Sequence, residues 1–283
     1  MLNGCAYILT VDVGNTFIRF GLFAEDSAAA QECPLATCEI TTPSSITADE
    51  ARMRLAQVMG ALSADAGMPG ALVPAAAVLS CVVPALERPW KAALSRTCTG
   101  RVLTVGPGLK TGMPVHYDDP AEIGPDRIAD AVAARAVYGS PCIVIDLGTT
   151  TNIEVIDARG TFVGGVIAPG LALGARSLSA AAARLPQVEP SAPTHVIGRN
   201  TREAMRSGVV LGEVARIDGM LDMVLAEMRA TKAAGEGSVP IVITGDDAEA
   251  LAALVGHSLT VDDALTLRGL AELYRINQKP RRA

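Results

Sequence analysis

Apolar and polar positions along the chain alternate between two periods, and each switch of period marks an element. Ile8 to Val13 is a short apolar run that closes on Asp12-Val13-Gly14, and Phe17 to Phe23 alternates with Ile18, Phe20 and Leu22 on one face. The pair predicts a strand, a tight turn and a second strand. Thr47-Ala-Asp-Glu50 has the spacing of a capping box, and Ala51, Leu55, Val58, Met59 and Leu62 follow at helical intervals. Ala75 to Cys81 predicts a buried strand, Ala85 to Cys98 a helix and Arg101 to Val105 a strand. Gly106 to Pro120 is rich in glycine and proline, which predicts a loop and a boundary between halves at residues 118 and 119. The same logic then repeats. Pro125 to Tyr138 predicts a helix with proline in its first turn, and Cys142 to Leu147 a strand ending again in Asp-x-Gly. Strands follow at Asn152 to Ile156 and Thr161 to Ile167, then a long helical region from Thr201 to Ala230. Pro240 to Thr244 predicts a strand, and Ala248 to Leu254 and Thr266 to Asn277 predict helices. Arg229 to Ser238 reads as a solvated linker. Strands interleaved with amphipathic helices indicate an α/β fold.

Composition narrows the chemistry. Of 283 residues, 49% are apolar but only 3% aromatic, so a large core is built from Ala, Val, Leu and Ile. The net charge of −6 argues against a nucleic-acid surface, which needs a basic stripe to displace counterions. Six cysteines at positions 5, 33, 38, 81, 98 and 142 form no C-x-x-C pair and read as small buried hydrophobes in a reduced compartment. The most apolar window, Pro69 to Leu86, is interrupted by three prolines, and no basic leader precedes the first strand. The expectation is a cytoplasmic protein without a membrane span.

The most informative feature is internal. Val11-Asp12-Val13-Gly14-Asn15-Thr16 is matched by Ile145-Asp146-Leu147-Gly148-Thr149-Thr150. Both are apolar strands that end in Asp-x-Gly and lead into a second strand. Glycine lets the backbone approach a phosphate, amides and hydroxyls donate to its oxygens, and the strand-end Asp offers a hard oxygen to a cation. Asp-x-Gly-Asn is also good hairpin chemistry, so one copy alone is ambiguous. Two copies after two apolar strands favour phosphate binding, with the turns facing each other across a cleft.

Taken with their order along the chain, further motifs extend the match from Leu9 to Asn277. They include Ser80-Cys-Val-Val-Pro84, Tyr117-Asp-Asp-Pro120, Gly124-Pro-Asp-Arg127, Gly164-Gly-Val-Ile-Ala-Pro-Gly170, Gly198-Arg-Asn-Thr201, Thr244-Gly245 and Leu265-Thr-Leu-Arg-Gly-Leu270. With them the chain resembles the type III pantothenate kinases, within the acetate and sugar kinase, heat-shock ATPase and actin superfamily. The resemblance implies duplicated actin-like (ribonuclease H-like) domains, 1–118 and 119–283, with an ATP cleft between them. It implies that Asp12, Val13, Gly14, Asn15, Thr16, Phe17, Ile18 and Arg19 cradle ATP, with Asp12 near Mg²⁺, and that Thr149 also touches ATP. Asp146 would help to bind K⁺ or NH₄⁺. Tyr117, Gly124, Pro125, Asp126, Arg127 and Thr201 would hold pantothenate, and Asp126 would accept the proton of its hydroxyl. A homodimer, with the acceptor site near its interface, is implied as well.

The residues themselves agree in part. Asp126 falls in the first turn of a helix, where the macrodipole favours a carboxylate, so it is expected to be ionised with a low pKa. Phosphoryl transfer needs only a weak base, because catalysis is mostly positioning and charge stabilisation. Arg127 has the donor fork for a substrate carboxylate. The alternative is that Asp126 only caps the helix and Arg127 makes a surface pair. Tyr117 suits packing or a ligand equally. His116, His195 and His257 are isolated in sequence and carry no assigned chemistry, and Trp90 is expected to pack. Phe17, Pro125, Asn152, Glu154 and Asp246 depart from the usual pattern of the family. Those at 125, 152, 154 and 246 motivate a second hypothesis, a non-catalytic regulatory relative that binds a nucleotide or metabolite.

Overall fold

A computed structural model describes residues 6–25, 32–68, 70 and 72–278. Cys5 and Pro69 lie outside the described residues. The chain forms two compact units, residues 1–137 with 264–283, and residues 138–263. In chain order the first unit supplies β1 (Tyr7–Val13), β2 (Phe17–Ala24), β3 (Ala36–Thr41), α1 (Ala48–Asp65), β4 (Ala76–Cys81), α2 (Pro84–Thr97), β5 (Val102–Thr104) and α3 (Pro125–Tyr138). The second supplies β6 (Cys142–Leu147), β7 (Thr150–Ile156), β8 (Phe162–Pro169), α4 (Leu171–Ala181), α5 (Thr201–Arg206), α6 (Gly212–Ala230), β9 (Ile241–Gly245), α7 (Ala248–Ala252) and β10 (Thr260–Val261). The chain then returns to the first unit as α8 (Leu265–Ile276).

Each unit carries one five-stranded sheet, and the two sheets have the same topology. The orders are β3-β2-β1-β4-β5 and β8-β7-β6-β9-β10. In each, the first three strands in sequence form an antiparallel meander, and the next two join parallel beside the first. This repeat is the duplicated actin-like α/β fold.

In the first unit β1 is buried at every position, because both of its faces are covered. Leu9, Val11 and Val13 join Ile18, Phe20, Leu55, Leu79 and Trp90 in one core. Trp90 is fully buried, its ring 5.6 Å from that of Phe20. The capping box forms as expected: Thr47 Oγ1 accepts from the Glu50 amide, and Glu50 Oε2 accepts from the Thr47 amide at 2.8 Å. On the other face, Phe23 packs against Leu267 and Ala271 of α8. Gly269 of α8 meets α3 backbone to backbone: a Cβ there would lie 1.9 Å from the Ala129 carbonyl oxygen. These contacts explain why the units differ from the halves drawn at residue 118. The C-terminal helix packs on β1, β2 and β4 of the first sheet and meets α3 on its other side, so both helices fall in the first unit.

In the second unit Ile143, Ile145, Val155, Ile217, Leu221 and Ile243 lie in the core. The region from Thr201 to Ala230 is helical as expected, with a π turn at Ser207–Leu211 between α5 and α6. The segment Arg229 to Ser238 is solvated along most of its length, as expected, and touches the core at one point. Arg229 and Ala230 finish α6, Ala234 is 5% exposed within the core, and the Ala158 amide donates to the Ala233 carbonyl at 2.8 Å. Small alanine side chains let this segment lie close to the core despite its polar flanks. No helix of the described residues is long and apolar enough to cross a membrane.

Candidate active site

Both Asp-x-Gly turns form, and both are braced in the same way. In the first, the Gly14 amide donates to the Phe17 carbonyl at 3.0 Å. Thr42, just past β3, holds the turn from the side: its amide donates to Thr16 O at 2.9 Å and its hydroxyl to Gly14 O at 2.7 Å. In the second, the Gly148 amide donates to Thr150 O at 2.9 Å, and Gly170, just past β8, donates to Thr149 O at 3.0 Å. Any side chain on Gly170 would strike the Gly148 carbonyl oxygen, 2.2 Å from the position of a Cβ. Asn15 and Thr16 remain exposed at the tip of the first turn, and Thr149 is half-buried in the second. Such tips present amides and hydroxyls to an anion.

Strand register lines up a polar row behind each turn. Glu39, Arg19, Asp12 and Ser80 stand directly opposite one another across β3, β2, β1 and β4, and therefore share one face. Arg19 Nε donates to Glu39 Oε2 at 3.0 Å. In the second unit the corresponding row is Ile167, Asn152, Asp146 and Thr244. Asn152, and not Glu154, is the residue opposite Asp146, so of the two departures only Asn152 adjoins that carboxylate on the strand.

Asp12 is 8% exposed, and its Oδ1 has no hydrogen-bond partner among the described residues. Burial pushes its pKa up to about 6, the charge of Asp126 adds to the rise, and Ser80 and Arg19 oppose it. Ser80 is close enough to exert that pull, yet its hydroxyl makes no hydrogen bond of good geometry. The two carboxyls proposed for cation and acceptor chemistry thus occupy one electrostatic neighbourhood within the first unit.

Asp126 stands in the first turn of α3, as expected. Its Oδ1 accepts from the Arg127 amide at 2.8 Å and folds back over Gly124, where a Cβ would lie only 2.4 Å from that oxygen. The expectation of a low pKa is corrected. Desolvation raises it above the usual carboxylate value, against the opposing pull of the Arg127 amide and the Arg127 guanidinium. The helix dipole is a surface-scale effect, and burial of the charge outweighs it. Arg127 is only 5% exposed, so the alternative of a surface pair does not hold.

Among the expected site residues, Asp12 to Arg19, Tyr117 and Gly124 to Arg127 belong to the first unit, and Asp146, Thr149 and Thr201 to the second. Phe17 and Tyr117 are half-buried, while Thr201 is exposed as the first residue of α5, after the Asn200 cap. Sequence reasoning missed three contributors. Thr42 and Glu39 sit on or beside β3, whose polar sequence carried no strand signal. Ser80 was part of a quoted motif but had no role. His257 is not isolated in space, since Nδ1 lies 2.9 Å from Asp218 Oδ1 and Nε2 lies 3.2 Å from Asp222 Oδ1.

Among the described residues, no group of three or more His, Cys, Asp or Glu is arranged to hold a metal ion. The donor set nevertheless fits a hard cation that brings its own oxygens: a buried Asp12 oxygen without a hydrogen bond, beside a turn whose tip exposes Asn15 and Thr16.

Comparison with known proteins shows the family. A family model described as type III pantothenate kinase matches residues 8–223. A type III pantothenate kinase of Koribacter versatilis is 37% identical over 275 residues, covering 96% of each chain. A type III pantothenate kinase 2 of Symbiobacterium thermophilum is 39% identical over 274 residues, covering 96% of this chain and 97% of the relative. Among solved structures, a ROK hexokinase from Thermus thermophilus superposes with a TM-score of 0.51 at 14% identity, over 96% of this chain and all of that one, a likeness of fold alone.

Proposed function

Because the chain belongs to the type III pantothenate kinase family, we propose that it transfers the γ-phosphoryl group of ATP to the hydroxyl of pantothenate, the first step of coenzyme A biosynthesis. The observation that carries this reading is the shared neighbourhood of Asp12 and Asp126, a strand-end carboxylate beside a phosphate-type turn and a second carboxylate close enough to raise its pKa.

In this reading the residues from Asp12 to Arg19 hold the phosphates, through the turn amides, the Asn15 and Thr16 side chains and the Arg19 guanidinium. Thr149 adds a contact to ATP. A Mg²⁺ bound with the nucleotide would neutralise charge on the phosphate oxygens, and Asp12 would hold it. Tyr117, Gly124 to Arg127 and Thr201 hold pantothenate, and Arg127 adds a donor to its carboxylate. Asp126 accepts the proton as the pantothenate hydroxyl oxygen bonds to the γ-phosphorus and the bond to the β-phosphate oxygen breaks. The raised pKa of Asp126 suits that role, since a stronger base accepts the proton more readily. Asp146, flanked by Asn152 and Thr244, supports a site for K⁺ or NH₄⁺. Exposed apolar side chains on the second unit, Ile167 on the edge strand β8 together with Val196 and Ile197, support a homodimer. The free thiols of Cys33, Cys38, Cys81 and Cys98 suit a cytoplasmic protein.

The test is ATP-dependent formation of 4′-phosphopantothenate with Mg²⁺, comparing K⁺, NH₄⁺ and Na⁺, with light scattering for the dimer. K⁺ and NH₄⁺ should support turnover and Na⁺ should not. Asp126→Asn should reduce kcat by a factor of about 10² to 10⁴, the usual contribution of a general base, with an unchanged melting curve. A folded wild type without product would overturn the reading, and unchanged kinetics in the variant would remove Asp126 from its role.

A further inference from the structure

Two buried polar atoms without a hydrogen-bond partner stand side by side at the end of the first sheet. Asp12 Oδ1 is one and Ser80 Oγ is the other. Ser80 is fully buried, on β4, directly opposite Asp12 on β1. Residues opposite one another on neighbouring strands share a face, so the hydroxyl and the carboxylate look out on the same space. The hydroxyl pulls on the carboxylate without closing a hydrogen bond to its Oδ1, so two such atoms in register point to a ligand that satisfies both.

The second unit repeats the arrangement. Asp146 has Thr244 opposite it on the next parallel strand, and Thr244 is 2% exposed. In both units, therefore, a strand-end Asp stands beside a buried hydroxyl residue. The corresponding residues on the other side, Arg19 and Asn152, differ in charge and size. The hydroxyl is the feature that the two rows keep in common.

We infer that Ser80 is a positioning residue for the divalent cation carried in with ATP: its hydroxyl hydrogen-bonds a water of the cation's shell and fixes that shell against Asp12. This inference rests on the reading of Asp12 as the carboxylate that holds the cation. A hydrated divalent ion suits the site, because such ions keep several waters and engage protein through one or two carboxylates and the phosphates. Ser80 lies too deep to meet bulk solvent, and a water held by the cation would give its hydroxyl a well-aligned partner beside Asp12.

The experiment measures Mn²⁺ binding by electron paramagnetic resonance on the full-length protein with a non-hydrolysable ATP analogue. Ser80→Ala should weaken Mn²⁺ binding about tenfold, the worth of one hydrogen bond to a charged group's shell, with a melting temperature at or above that of wild type. Ser80→Cys, close in volume but a poor hydrogen bonder, should behave like the alanine variant. Ser80→Thr, which restores the hydroxyl and copies the residue at the matching place in the second unit, should recover most of the affinity. Mn²⁺ binding by Ser80→Ala and Ser80→Cys equal to that of wild type would overturn the role of Ser80 alone. A wild type that binds the analogue but no Mn²⁺ would remove the cation from Asp12, and the inference with it.

Discussion

Replacing Asp12 by Asn should make the protein more stable and less active at the same time. The carboxyl is buried and its pKa is raised from 3.8 to about 6. Below pH 3.8 it is protonated in the folded and unfolded chains alike, and contributes nothing to stability. Between 3.8 and about 6 the unfolded chain releases its proton while the folded chain keeps it, so stability falls as pH rises. Above about pH 6 both states are ionised, and the folded state carries the full penalty, on the order of 3 kcal/mol. Asn is neutral throughout and similar in shape, so Asp12→Asn should recover about 2 kcal/mol of this at pH 7.5, part being lost to burial of the amide. In a chain of this size that raises the melting temperature by roughly 4–8 °C. The same variant should lose the stabilisation that Mg²⁺ and ATP confer together on wild type, because the cation relieves the penalty that the substitution has already removed. Paired melts of wild type and variant at pH 5 and pH 7.5, with and without Mg-ATP, test the chain of reasoning. The difference between variant and wild type should be larger at the higher pH. A variant less stable than wild type at pH 7.5, or a difference that does not change between the two pH values, would refute it.

Gly124→Ala should lower kcat with little effect on stability, because the added methyl meets only the movable carboxylate of Asp126, 2.4 Å away, which can rotate aside but then leaves its position. Steady-state kinetics beside a melting curve checks both halves of that statement. Gly269→Ala should instead cost stability, about 1–3 kcal/mol, since its methyl would meet the Ala129 backbone at 1.9 Å and backbone cannot rotate away. Because α3 carries Asp126, kcat should fall along with the urea midpoint, and a variant with wild-type values of both would show that α8 does not fix α3.

Much of the first unit was legible because its signals are local. The Thr47–Glu50 capping box, the apolar face of α1 and the alternation of β2 each act over a few residues and need no partner to be recognised. The helix Pro125–Tyr138 and the strand Cys142–Leu147 were read at their observed limits for the same reason. Two strands were not legible. The strand β3 is short, polar and at the sheet edge, and β10 spans only two residues, so pairing with β2 and β9 rather than intrinsic preference makes them strands. The helix α4 was missed because its Ala- and Ser-rich sequence has only Ala175 buried and so shows no sustained apolar stripe. The low pKa expected for Asp126 failed because helix position is visible in a sequence, whereas desolvation is not.

The sequence alone determined the repeated Asp-x-Gly turns and the strands that lead into them. These follow from apolar periodicity and from the backbone freedom of glycine, which are properties of short segments. Only tertiary structure decided that Glu39, Arg19, Asp12 and Ser80 form one row, that Thr42 braces the first turn and that Gly269 sets α8 against α3. Register between distant strands and the burial of charge arise from packing between segments far apart in the chain, and no local pattern encodes them.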